Sequence, residues 1–280
     1  MTAANFRSAP LAAQVRGHGE RVVCLHSSTG SSAQWRALQN ALASRWEVLA
    51  ADLHGHGRSP AWPESTRSTL SVDAAAVAAL AGIGIGGRGV HLVGHSYGAA
   101  VALQIALSHP GQVRSLTLYE PVVFGLLRSA APDDAALHEI EEVAASVASL
   151  VAAGSLEDAA RVFVGYWGGA RAWSALGDDQ QRAVMARMPA VPRHFEALFA
   201  ATWSAELLKR LRMPVLLMQG GCTRASARRA TELLAAALPQ AQRVELAGAG
   251  HLGPMTHSDT VVRWMVAHLD PRLAAEGLAA

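Results

Sequence analysis

The run Val90-His91-Leu92-Val93-Gly94-His95-Ser96-Tyr97-Gly98-Ala99-Ala100 decides the reading of this 280-residue chain. Its first four residues form a short, largely apolar stretch of strand character. From Ala99 onward the sequence turns Ala-rich and reads as a helix. Between the two lies Gly-x-Ser-x-Gly, the pattern of a tight strand-to-helix bend with a serine at its tip. Gly94 and Gly98 leave room where a β-carbon would clash. A helix starting at Tyr97 turns its free backbone N–H groups and positive dipole end toward the serine hydroxyl. Ser96 is therefore the candidate covalent nucleophile. The plainer reading is an ordinary Gly-rich strand-to-helix turn.

Outward from this point, short apolar, β-branched runs alternate with Ala/Leu-rich helical stretches. The runs are 21–25, 47–51, 90–93, 113–119, 214–218 and 243–246. They are nearly continuous in apolar character, as expected of strands covered on both faces. The helical stretches include 34–43, 71–81, 97–108, 225–238 and 258–269. Strand alternating with helix predicts an α/β fold with a mostly parallel, doubly wound sheet. The first thirty or so residues are expected to hold a small antiparallel hairpin. From 121 to 213 no strand is predicted. Helices are expected over 133–151, 156–166, 178–188 and 194–202, with Ser155 and Asp158 at capping-box spacing. This divides the chain into a core domain, first part (1–121), a helical cap insertion (122–212), and the core domain, second part (213–280). Ligands in open α/β sheets bind outside the carboxyl ends of the strands, so a cap there would wall a pocket.

The composition narrows the class. Hydrophobic residues make up 51% and charged residues 16%, against roughly 25% charged in soluble proteins generally. This describes an Ala-rich folded body. A formal net charge of +2 is too small to imply a nucleic-acid or anionic-membrane partner. Lys209 is the only lysine. Cys24 and Cys222 provide no disulfide framework, and both are expected as buried thiols. Residues 1–10 lack a basic segment followed by an apolar one, so no secretory signal is read there. The uncharged stretch 74–87 falls short of the ~20 apolar residues a membrane span needs. The expected location is cytoplasmic. A homo-oligomer stays open, because nothing in the sequence bears on assembly.

Three further segments carry candidate chemistry. Leu25-His26-Ser27-Ser28-Thr29-Gly30 follows the first long strand, where a turn can supply backbone N–H donors to a developing oxyanion. The Ser28 and Tyr97 amides are the candidate oxyanion donors, and His26 is expected to be structural. Asp52-Leu53-His54-Gly55-His56 has His-x-His spacing compatible with a metal, but no third ligand is obvious. A structural loop is expected there, with no metal and no organic cofactor. Gly248-Ala249-Gly250-His251-Leu252-Gly253-Pro254 places a histidine in a Gly-rich loop after the last strand. A neutral imidazole with an ordinary pKa of ~6.5 suits a general base, so His251 is the candidate base and His257 its nearest rival.

Together these segments resemble the α/β-hydrolase superfamily, in particular its esterase, haloperoxidase-like and C–C hydrolase branch. The likeness covers 21–121 and resumes from 213 to 269. It implies a triad in the chain order nucleophile, acid, histidine, as Ser96 first and His251 last would give. Many relatives carry an Asp a few residues beyond the penultimate strand, in a segment resembling Gly-x-x-Asp. Here that segment is Gly220-Gly221-Cys222-Thr223, with threonine in the acid's place, and the next carboxylate is Glu232 inside a helix. Some haloalkane dehalogenases and lipases of the superfamily place the acid one strand earlier. Here Leu118-Tyr119-Glu120-Pro121 ends that strand, so Glu120 is the candidate acid. A helix cap, or an ion pair with a cap arginine, is the alternative use of Glu120.

The resemblance implies a serine hydrolase acting on a small-molecule substrate, a small or medium carboxylic ester, through an acyl-enzyme on Ser96. The same triad could serve a C–C bond, an amide, a lactone, a peracid or an acyl transfer. A non-catalytic ligand-binding member of the fold is the third reading. Trp167, Trp173, Phe195, Phe199, Trp203, Met185 and Met188 are candidate pocket residues, although such side chains at helical spacing often belong to the core.

Overall fold

The computed structural model describes residues 10–63, 66–84, 89–270 and 272. The secretory-signal reading of 1–10 therefore falls almost wholly outside the described residues, as does the end of the 74–87 stretch. The strands are β1 (Ala13–Arg16), β2 (Glu20–Leu25), β3 (Trp46–Ala51), β4 (Val90–His95), β5 (Val113–Tyr119), β6 (Val215–Gly220) and β7 (Gln242–Leu246). They form one sheet in the order β1-β3-β2-β4-β5-β6-β7. Every neighbouring pair is parallel except β1 with β3. The expected N-terminal hairpin is thus corrected. β2 is paired along both edges by β3 and β4, which leaves β1 only the free edge of β3, where Ala13 faces Ala51.

Helices α1 (Arg36–Leu42) and α12 (Ser258–Leu269), the latter preceded by the single turn α11 (Gly253–Thr256), cover one face of the sheet, and α2 (Leu70–Ala81), α3 (Tyr97–Ser108) and α10 (Ala225–Ala237) cover the other. Two buried apolar clusters result. One contains Leu25, Leu92, Leu116 and Leu217 with α2, α3 and α10; the other contains Val22, Val48, Val93 and Leu216 with α1 and α12. Adjacent residues such as Leu92 and Val93 point to opposite clusters, which is why the strands read as unbroken apolar runs. Burying each such side chain stabilises the fold by about 1.5–3 kcal/mol.

Between β5 and β6 lie α4 (Phe124–Ala130), α5 (Ala135–Ala152), α6 (Leu156–Gly168), α7 (Asp178–Met185), α8 (Val191–Ala200) and α9 (Ala205–Leu208). The short α4 and α9 were not anticipated, and α8 starts three residues earlier than expected, with Pro192 in its first turn. The Asp134 carboxylate caps α5 by accepting the Ala136 N–H at 2.9 Å. The capping box expected at Ser155 does not form, because Ser155 sits at φ −80°, ψ 63°. An N-cap that accepts through its side chain needs extended backbone, and here the Ser155 amide instead closes the end of α5 on the Leu150 carbonyl at 2.9 Å. Among the described residues no helix is long and apolar enough to cross a membrane.

Cys24 is buried in β2, but Cys222 is exposed, contrary to expectation. The apolar run of β6 stops at Gly220, and Cys222 lies in the turn beyond it.

The bend after β4 is held by close approach. A β-carbon on Gly98 would stand 2.4 Å from the Leu25 carbonyl oxygen and 2.5 Å from that of His26; one on Gly94 would stand 2.5 Å from the Ala99 Cα. All of these are backbone atoms that cannot swing aside. Gly98→Ala is expected to destabilise the fold by about 1–3 kcal/mol. Gly111→Ala, where nothing lies within 4 Å, is expected to be neutral or slightly stabilising. Urea unfolding of both variants checks this, and a Gly98→Ala midpoint equal to wild type would refute the close approach.

Candidate active site

The sheet register brings the candidate groups to one level. His95 pairs with Tyr119, and Tyr119 with Met218. Ser96 and Glu120 therefore leave the carboxyl ends of adjacent strands. The Ser96 N–H donates to the Tyr119 carbonyl at 3.0 Å, and the Glu120 N–H donates to the Met218 carbonyl at 2.8 Å. Ser96 (φ 57°), Glu120 (φ 44°) and Thr29 (φ 62°) are the described non-glycine residues with left-handed backbone. Such strain persists where the surroundings enforce it, and it gathers at functional sites.

The structure brings Ser96, His251 and Glu120 into one line. His251 Nε2 lies 2.9 Å from Ser96 Oγ, and His251 Nδ1 lies 2.6 Å from Glu120 Oε2. All three residues are almost fully buried. The Glu120 carboxylate also accepts the Gly220 N–H on Oε1 at 2.8 Å and the Thr223 hydroxyl on Oε2 at 2.6 Å. With only donors around it, the carboxylate accepts from Nδ1–H, which leaves Nε2 as an acceptor for the serine hydroxyl. Among the described residues, Glu120 thus neither caps a helix nor pairs with an arginine. Glu232 lies on α10 beside Arg229, 3.5 Å away and half-exposed. The rival His257 is exposed and contacts Thr256.

Hydrogen bonds from the strand ends anchor the His251 loop, among them the Cys222 N–H donating to the Ala249 carbonyl at 2.8 Å. The Tyr119 hydroxyl donates to the Gly250 carbonyl, and His95 Nε2–H donates to the His251 carbonyl, each at 2.8 Å. Burial holds the His95 pKa well below the ordinary histidine value, which keeps that ring neutral. The indole of Trp167, from α6, stacks on the His251 ring with centroids 3.8 Å apart.

Ser28 and Ser96 line a cavity walled by Val122, Phe124, Phe163, Trp167, Val191, Phe195, Leu198 and His194. Its volume is about 10 Å³, room for roughly one water. The Ser28 and Tyr97 amides donate to no acceptor among the described residues. Of the candidate pocket residues, the structure puts Trp167 and Phe195 in the wall. The others lie elsewhere: Trp173 packs under Arg161, Phe199 stacks on Phe124 beneath Arg128, and Trp203 and Met188 are buried away from the cavity. Met185 is half-buried outside it. These side chains serve the packing of the insertion. Sequence reasoning did not single out His95 or His194, and it read Thr223 only as a missing acid; in the structure its hydroxyl donates to the Glu120 carboxylate.

The His54 and His56 loop is a buried hydrogen-bonded network. His54 Nδ1 lies 2.7 Å from Asp73 Oδ1, and His56 Nδ1–H donates to the His54 carbonyl at 2.8 Å. His56 Nε2 accepts the Thr29 N–H, and His26 Nε2 accepts the Leu53 N–H. His26 therefore has a structural place. No group of three or more His, Cys, Asp or Glu side chains among the described residues is arranged to hold a metal.

Burial lowers the pKa of His26 to about 4 and that of His56 to about 3. Unfolded, both titrate near 6.5. Below that pH the unfolded chain binds protons that the folded chain refuses, so stability falls as pH drops from about 6.5 toward about 4. Each of the two histidines should contribute up to about 1.4 kcal/mol of loss per pH unit in that window. Urea unfolding at pH 7.5 and pH 5 tests this, and equal stabilities would contradict neutral burial.

The family now follows. A model of the alpha/beta hydrolase fold matches residues 20–258, and the chain belongs to the α/β-hydrolase family. Over 109 residues it is 38% identical to the dihydrolipoyllysine-residue acetyltransferase component of the acetoin cleaving system of Cupriavidus necator, covering 39% of this chain and 28% of that protein. Over 103 residues it is 39% identical to lipase LipV of Mycobacterium tuberculosis, covering 37% of this chain and 38% of that one. The matched stretches thus span less than two fifths of these relatives. Its fold is similar to that of a thermophilic esterase from Thermogutta terrifontis, with TM-score 0.72 and 25% identity over 92% of both chains.

Proposed function

We propose that the protein is a serine hydrolase that cleaves small or medium carboxylic esters through an acyl-enzyme on Ser96. The observation that carries this reading is the continuous hydrogen-bonded line from Glu120 through His251 to Ser96 Oγ. His251 Nε2 takes the hydroxyl proton as Ser96 Oγ attacks the ester carbonyl carbon. The Ser28 and Tyr97 amides receive the oxyanion, and Glu120 orients the ring and stabilises the imidazolium. His251 then returns the proton to the departing alkoxide. A water activated by the same imidazole releases the acid and restores Ser96. The insertion between β5 and β6 acts as a cap. Its apolar wall of Val122, Phe124, Phe163, Val191 and Leu198 favours an uncharged acyl or alkyl group.

Turnover of p-nitrophenyl acetate and butyrate, compared with a vinylogous diketone, tests the bond cleaved. Ester hydrolysis is expected. Cleavage of the diketone with no turnover of either ester would replace the ester reading with carbon–carbon chemistry.

A further inference from the structure

Helix α8 touches both residues assigned to the oxyanion site. We propose that His194 is a positioning residue of that site, holding Ser28 and Tyr97 so that the hole is complete only with the insertion seated. The inference rests on the oxyanion assignment made under Proposed function.

The His194 ring lies flat on the Tyr97 ring, with centroids 3.7 Å apart and planes 7° apart. Its Nδ1 is 2.8 Å from Ser28 Oγ, and that hydroxyl has no other partner among the described residues. His194 is 1% exposed. Burial keeps its pKa well below the ordinary histidine value, so the contact to Ser28 is a hydrogen bond between neutral groups. The tip of the Tyr97 ring is held separately. Its hydroxyl donates to Asp73 Oδ2 at 2.8 Å, while Asp73 Oδ1 accepts from His54. Tyr97 is thus fixed at its tip by the core and on its face by α8.

The turn carrying Ser28 is held in the same divided way. From the core side, the Thr29 N–H donates to His56 Nε2 at 3.1 Å. From the insertion, Arg187 Nη1 donates to the Thr29 carbonyl at 2.7 Å, beside the His194 contact. Oxyanion donors act only when they lie about 2.7–3.1 Å from the developing charge. A displacement near 1 Å can cost roughly 10²-fold in rate. A side chain that sets one donor residue by hydrogen bonding and the other by stacking therefore acts on the transition state more than on ground-state binding.

The test compares wild type, His194→Phe, His194→Asn, Ser28→Ala and the His194→Phe/Ser28→Ala double variant. His194→Phe keeps a ring on Tyr97 and loses the hydrogen bond; His194→Asn keeps a polar atom near the Nδ1 position. The readouts are kcat and KM on p-nitrophenyl butyrate and the inhibition constant of butaneboronic acid, an oxyanion mimic. His194→Phe should lower kcat about 10- to 100-fold, change KM by much less than kcat although the ring also walls the cavity, and weaken the boronate by a factor matching kcat. His194→Asn, which restores the hydrogen bond to Ser28 but not the ring on Tyr97, should recover part of the loss, and the double variant should be no worse than its more affected parent. Normal kcat and boronate affinity in His194→Phe would overturn the proposal, as would losses that multiply in the double variant. If His194→Phe fails to fold, Ser28→Ala decides alone, because it removes one hydroxyl; unchanged kcat there would overturn the proposal too. A wild type that neither labels with a fluorophosphonate nor turns over esters would sink the serine-hydrolase reading itself. A labelled wild type with an indifferent His194→Phe would sink only this inference.

Discussion

Ser96→Ala is expected to abolish labelling by a fluorophosphonate probe and to lower kcat on p-nitrophenyl butyrate by about 10³–10⁶-fold, with the fold retained. The side chain removed is a single hydroxyl whose partner is His251 Nε2 at 2.9 Å. Alanine at position 96 must adopt the same left-handed backbone, φ 57°, and its methyl group fits where the serine Cβ already lies. The hydroxyl proposed as nucleophile is lost while the bend is kept. Removing a serine nucleophile leaves only binding and oxyanion stabilisation, which is why the expected loss spans so many decades. Stoichiometric wild-type labelling that disappears in the variant supports a covalent nucleophile. Equal labelling of both proteins would assign the reactivity to another residue. A wild type inert to the probe would favour the ligand-binding reading of the fold.

Glu120→Gln is expected to lower kcat by about 10³–10⁴-fold while leaving the circular dichroism spectrum unchanged. The change is nearly isosteric, so packing at this fully buried position is preserved. What changes is the pattern of donors. Glu120 Oε2 now takes both His251 Nδ1–H and the Thr223 hydroxyl, and Oε1 takes the Gly220 amide. An amide can keep only one oxygen as acceptor. Either its NH2 faces Nδ1 and selects the wrong imidazole tautomer, or it faces the Gly220 N–H and leaves two donors opposed. In both arrangements the imidazolium of the proposed mechanism loses its counter-charge, and loss of the carboxylate in a catalytic triad costs about 10⁴-fold. Glu232→Gln, on the exposed side of α10 beside Arg229, should retain wild-type kcat. Full activity in Glu120→Gln would remove this carboxylate from the mechanism.

The fold was legible in the sequence because its signals are local. Continuous apolar runs mark strands covered on both faces, and Gly94 and Gly98 flank Ser96 where any β-carbon would strike backbone. The hairpin expected for β1 failed for the opposite reason: the choice of partner depended on which sheet edge remained free. The exposure of Cys222 and the failed cap at Ser155 were likewise settled by where a neighbouring element ended.

The amino-acid order by itself determined the alternation of strand and helix, the bend at Ser96, and a short set of candidates that included His251 and Glu120. Only the tertiary structure decided that Glu120, rather than Glu232, faces the His251 ring, that Thr223 donates to that carboxylate, and that His194 reaches Ser28 across 166 positions of chain. Propensity and periodicity act over a few residues. Hydrogen bonds between side chains brought together by the sheet register depend on distances that no local pattern encodes.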